Sequence, residues 1–310
     1  MKKQIFTSSL LLLLVLAWNT AWADFYVIAA GKRAKRTVLV SPKGTPIESG
    51  TALLNAVNSI TDASSSNPYL IIIEPGKYDI EDHSLVMKSN VDIQGSGEDV
   101  TIITGDNIYK NDGVVKGKSY AELRFVSVEN TGGGYYATAI SNYGQNPRLL
   151  NVTVEASGGT ENRGVYNRNG SYPIMTHVNI LVHGGTKTYG VDNSSSSPIM
   201  TDVIVEASGG ETNYGVYNSY SGCTMNHVEV IGGGDSFTGG YGVHTGDYST
   251  VRINHSVIDG YNNSIECISG NTYIGNTQLK GGSVYDFSGT SVKCAGVYDE
   301  SYNFYSSTCP

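Results

Sequence analysis

Short apolar pairs recur through the middle of the chain as Val126/Val128, Val152/Val154, Val178/Ile180, Val203/Val205 and Val228/Val230, at steps of 26, 26, 25 and 25 residues. A second apolar marker keeps the same pace at Ile140, Val165, Val191, Val216 and Val243, and glycine corners such as Gly158-Gly159, Gly184-Gly185, Gly209-Gly210 and Gly232-Gly233-Gly234 fall between the two. Within a unit the apolar residues alternate with period two, as in NVTVEASGG and DVIVEASGG. That alternation predicts short strands with one buried face, and helical spacing is absent. One such unit has too little apolar surface to fold alone, so units must stack. The pattern predicts an all-β chain wound as a parallel β-solenoid, its coils about 4.8 Å apart.

The repeated phrase Gly-Val-Tyr-Asn fits this register. Gly164, Gly190, Gly215 and Gly242 are expected to make a bend, with Val165, Val191, Val216 and Val243 pointing inward. Asn142, Asn167, Asn193 and Asn218 follow, and asparagine tolerates the left-handed conformation such a bend needs while its amide bonds from coil to coil. Leu123, Leu149, Met175, Met200 and Met225 form a further inward column.

The chain divides into four stretches. Residues 1–23 hold Lys2 and Lys3, an apolar run and Ala21-Trp22-Ala23, the pattern of a secretory signal cleaved after Ala23. Residues 24–66 include Leu53, Leu54, Val57 and Ile60 at helical spacing, which predicts a short amphipathic helix capping the solenoid. Residues 67–292 form the solenoid, and 293–310 close its far end. Cys294 and Cys309 are expected to pair, whereas the state of Cys223 and Cys267 is left open. The segment Asn67 to Gly105, with Glu74-Pro75-Gly76-Lys77-Tyr78 and Gly95-Ser96-Gly97 before Val100 to Ile103, resembles the opening coils of pectin methylesterases. Together with the repeats, it is similar to the right-handed parallel β-helix proteins of the pectin lyase-like superfamily. At about 25 residues per coil, the span from Pro68 to Val292 holds roughly nine coils.

Charge narrows the partners. Without residues 1–23 the chain carries 18 basic and 28 acidic residues, a formal net charge of −10, against −8 for the whole. Nucleic acid, anionic membranes and acidic polymers are repelled at long range, and the basic run Lys32, Arg33, Lys35, Arg36 reads as a solvated loop. Both tryptophans, Trp18 and Trp22, lie in the leader, so aromatic recognition rests on the 22 tyrosines.

The resemblance would imply two carboxylates and an arginine for ester chemistry, but the family's Gln-Asp, Asp-Phe-Ile-Phe-Gly and Gly-Arg-Pro-Trp segments have no counterpart. A lyase needs carboxylates for calcium and a basic residue, and Ile174 to Thr250 offers only Lys187. Three outward columns carry candidate chemistry. Tyr189, Tyr214 and Tyr241 follow Arg163, with Tyr166 and Tyr217 nearby, as a glycan-binding or simply stacked flank. Asn151, His177, Asp202, His227 and His255 form a polar ladder that could bind metal or relay protons, or could occupy a bend. Glu129 and Glu155, with Glu206, could share acid and base roles or act as solvated charges. The reading that results is an exported polysaccharide-binding or structural surface protein, with no cofactor or metal assigned and no membrane insertion of the mature chain. A diverged polysaccharide-active enzyme and a self-assembling adhesin are the alternatives.

Overall fold

The computed structural model describes residues 36–109, 111–287 and 291–310. The expected leader and most of the basic run lie outside the described residues. The chain winds into a right-handed parallel β-helix with three faces. Among the described residues, eighteen strands make up two merged faces, and nine strands, from Leu85–Val86 to Val284–Asp286, make the third. No helix among the described residues is long and apolar enough to cross a membrane.

The two merged faces come from long strands that turn a corner. Glu122–Asn130, Arg148–Ala156, Ile174–His183 and Ile199–Ser208 stack in parallel, with Val126, Val152, Val178 and Val203 directly in register. In each strand the ladder skips one residue: Phe125, Asn151, His177 and Asp202 have φ of 55°, 51°, 51° and 53°. His227 and His255 repeat this at 53° and 50°. The left-handed conformation therefore belongs to the polar ladder, which is the corner between two faces. The asparagine column, expected to hold it, lies instead within strands.

Those asparagines face inward. Asn142 Nδ2 donates to Asn167 Oδ1 at 2.8 Å, Asn167 to Asn193 at 2.9 Å, and Asn193 to Asn218 at 2.9 Å; Asn218 then donates to the His244 carbonyl at 3.0 Å. All four are fully buried. A buried amide needs its partners, and from Asn167 onward each coil supplies the next one's, while Oδ1 of Asn142 at the start of the run has none. The glycines before them are likewise not left-handed. A Cβ on Gly164, Gly190, Gly215 or Gly242 would lie 2.4, 2.1, 2.3 or 2.6 Å from Ile180, Val205, Val230 or Ile258 across the interior. Glycine stands there because the opposite face fills the tube.

The column Leu123, Leu149, Met175, Met200 and Met225 is in register and buried. At one end the helix Pro46–Ser59 packs against Gly76–Asp79, with Leu53, Ala56 and Val57 buried and Ile60 just beyond its last residue. Its start is a capping box: Thr45 Oγ1 accepts from the Glu48 N–H at 3.2 Å and Glu48 Oε2 from the Thr45 N–H at 2.9 Å. The sheet reaches beyond the expected boundaries at both ends. Arg36–Val40 pairs with Tyr69–Ile73 before the helix begins, and Ser291–Ala295 and Val297–Tyr298 add parallel strands. Phe304–Tyr305 then folds back antiparallel on Val297–Tyr298, and Cys294 is bonded to Cys309, as expected. Cys223 and Cys267 are buried and take no part in this disulfide.

Replacing Asn193 by alanine strips the partner from the Asn167 donor and the Asn218 acceptor, so stability should fall by about 2–4 kcal/mol, read as a lower urea midpoint with an unchanged slope. Burial pushes the Cys223 thiol up to about 12. After reduction, a thiol reagent should modify the partly exposed Cys309 in the folded chain and reach Cys223 only on unfolding, a difference that peptide mass mapping resolves.

Candidate functional site

The outer side of the third face carries two files of side chains. Thr138, Arg163, Tyr189, Tyr214 and Tyr241 are in register in one; Ser141, Tyr166, Asp192, Tyr217, His244 and Glu266 in the other. Parallel strands repeat at about 4.8 Å, close to the distance at which aromatic rings stack, so identical positions on successive coils place ring on ring. Tyr189 and Tyr214 lie 5.4 Å apart at 15°, and Tyr214 and Tyr241 lie 5.1 Å apart at 19°. Tyr217 meets Tyr189 and Tyr214 edge-on at 5.6 and 5.1 Å. Tyr166 and Tyr189 are buried, and Tyr214, Tyr217 and Tyr241 are half-buried. The ring faces are thus taken up by neighbouring rings, and the flank is not a row of open platforms.

Arg163 ends the stack. Its side chain is only 3% exposed, with Nε donating to Asp192 Oδ2 at 2.8 Å and Nη2 to Glu161 Oε2 at 2.6 Å. The guanidinium also lies 4.8, 5.2 and 5.4 Å from the Tyr189, Tyr166 and Tyr136 rings. Burial alone would lower its pKa, but the two carboxylates outweigh burial and raise it, so the cation is fixed. Beyond it Arg168 covers Tyr143 and Tyr166 at 5.2 and 5.5 Å and donates to Asn111 Oδ1. A cleft of about 500 Å³ opens there, lined by residues that include Asn111, Lys116, Tyr143 and Gln145.

At the other end, His244 is nearly parallel to Tyr217, with ring centres 4.5 Å apart at 3°, and its Nδ1 is 2.6 Å from Glu266 Oε2. Close by, Ser219 Oγ donates to Asp247 Oδ2 at 2.7 Å. The sequence reading picked out the tyrosines and missed Glu161, Asp192, His244 and Glu266. Asp192 lies in the tyrosine register and was legible as a carboxylate among rings. His244 and Glu266 are 22 residues apart, off the repeat length, which hid their adjacency.

The polar ladder stands on its exposed corner. His177 Nε2 is 3.5 Å from Asp202 Oδ2, and the His227 and His255 rings stack at 5.3 Å. Among the described residues no three His, Cys, Asp or Glu side chains converge as a metal requires. Glu129 and Glu155 are neighbours in register, but Glu129 is 3.3 Å from Lys77 Nζ, and Leu181 separates Glu155 from Glu206.

No family model matches the chain, and no curated protein is similar to it in sequence. Solved structures are similar in fold. A pectin methylesterase from carrot is 15% identical with a TM-score of 0.55, over 84% of this chain and 87% of that one. A pectate lyase is 15% identical with a TM-score of 0.55, over 87% and 75%. An alginate lyase is 14% identical with a TM-score of 0.50, over 87% of this chain and 42% of that one. These likenesses show the pectin lyase-like fold.

Burial, with nearby Asp192 for Tyr189 and Glu266 for Tyr214, raises both phenols far above the ordinary value of about 10. A raised folded-state pKa means that ionisation is easier after unfolding, so the stabilisation is complete below pH about 10 and is lost as pH rises beyond it. An alkaline titration should show a late phase of phenolate absorbance that develops only together with loss of the strand circular dichroism signal, and phenylalanine at both positions should reduce that phase, to which the buried Tyr78 also contributes.

Proposed function

We propose that the chain is an exported protein that binds polysaccharide along the third face. The observation that carries this reading is the stack of Tyr189, Tyr214 and Tyr241 between the Glu161–Arg163–Asp192 group and the His244–Glu266 pair. With the ring faces used by one another, the stack offers ring edges and phenolic hydroxyls repeating at the coil spacing. That is a ladder of hydrogen-bond groups on an amphipathic strip, suited to a long hydroxyl-rich polymer rather than a small molecule in a pocket. The fold is that of a pectin methylesterase, a pectate lyase and an alginate lyase, all named for polysaccharide substrates. The Cys294–Cys309 disulfide supports an oxidising compartment, in keeping with the leader read in residues 1–23.

A polysaccharide-active enzyme is the second reading, favoured by the His244–Glu266 pair, the arrangement that proton transfer uses. Assays for reducing ends, unsaturated products and released methanol distinguish it from binding alone.

Tyr214→Phe keeps the stack and removes one hydroxyl. For a polysaccharide found on a glycan array, calorimetry should give about tenfold weaker binding, the worth of one hydrogen bond. Unchanged affinity in both Tyr214→Phe and Tyr241→Phe would remove the belt from the binding surface.

A further inference from the structure

We infer that the notch beside Gly246 is a hydroxyl-reading site for a neutral glycan, with His244 Nε2 as its acceptor. The inference rests on the polysaccharide reading above and names the ligand chemistry of that surface.

The imidazole is held in one orientation. Glu266 Oε2 lies 2.6 Å from Nδ1, and an ionised carboxylate only accepts, so Nδ1 carries the hydrogen. In the neutral ring Nε2 is then an acceptor with an outward lone pair. Tyr217 stacks parallel on the ring and Tyr214 meets it edge-on at 5.5 Å, which fixes its plane. The residue is 9% exposed, and among the described residues the hydrogen-bond and ring contacts of its imidazole are with Glu266, Tyr214 and Tyr217, with no hydrogen bond at Nε2. Nε2 is not among the buried unpartnered atoms, so it stands open at the notch, where a sugar hydroxyl can take the place of water.

Gly246 is what leaves that nitrogen open. It pairs with Ser219, and the same position holds Ser194 and Arg168 on the preceding coils, so three successive coils carry a side chain where this one has none. Its φ is not left-handed, so the backbone does not call for glycine. A Cβ there would sit 2.9 Å from His244 Nε2, nearer than to any other atom. The absent side chain makes room at one nitrogen.

The surroundings select a donor without negative charge. Glu266 engages Nδ1, Asp247 accepts from Ser219, and Arg163 gives Nε to Asp192 and Nη2 to Glu161, its buried Nη1 having no partner. The charged groups around the notch are therefore carboxylates, with the charge of the buried arginine already compensated. A sugar hydroxyl donates into the notch, whereas a uronate carboxylate brings only more acceptors and like charge.

The test uses the full chain with histidine labelled with ¹⁵N, titrated separately with neutral hexasaccharides (cello-, xylo- and mannohexaose) and with hexagalacturonate. The expected result is a shift of His244 Nε2 on adding one of the neutral sugars, little movement of Nδ1, and no shift with hexagalacturonate. Gly246→Ala should weaken that sugar's binding at least tenfold with an unchanged melting temperature. If the variant does not fold, the shift in the unmodified chain decides alone. Binding that Tyr214→Phe weakens but that leaves Nε2 unmoved, survives Gly246→Ala, or prefers hexagalacturonate overturns this inference and keeps the polysaccharide reading. No binding of any glycan overturns both.

Discussion

Every feature of this chain depends on the parallel backbone ladder between coils. Because Val152 lies under Val178 and Val178 under Val203, each side chain inherits the neighbours that its sequence equivalents provide. A coil on its own buries little. Stacked, the coils share a continuous apolar interior, and polar groups that would be intolerable in isolation satisfy one another. The chain of amides from Asn142 to Asn218 is the clearest case: it runs along the axis through the interior and holds only while the coils stay in register.

The same rule acts on the outside with a different result. Repetition of tyrosine at one position brings rings together until they bury each other, and Arg163 is placed at the end of the stack with two carboxylates around it. Aromatic contact, ion pairing and burial reinforce one another there, and the guanidinium charge is compensated before any ligand arrives. What remains accessible is a strip of edges and hydroxyls ending at a histidine whose orientation Glu266 sets. The acidic balance of the whole chain is thus repeated locally.

Much of this was legible in the residue order. Apolar alternation and the 25–26-residue period located the strands, and the spacing of Leu53, Leu54, Val57 and Ile60 marked the helix. The backbone conformation was not legible, because the corner accepts Phe125, Asn151, His177 and Asp202 alike; a torsional requirement that side chains of such different chemistry all meet leaves no chemical signature. Glycine misled for a related reason: Gly190 looked like a bend, yet its role is to clear Val205 on the far wall, a contact between distant residues that no local pattern encodes. The His244–Glu266 contact was hidden because the coil that joins them is shorter than the repeat. Arg36–Val40 escaped notice as a strand because the helix separates it from its partner, Tyr69–Ile73.

The left-handed corner has a use beyond turning the chain. Its side chains project from the tube, and a phenyl ring, an amide, an imidazole and a carboxylate already alternate there without disturbing the wall behind them. Such a file is a rewritable edge: a ruled scale with marks about 4.8 Å apart, on which spectroscopic labels, chelating groups or crosslinks could be mounted at chosen intervals while the scaffold stays the same.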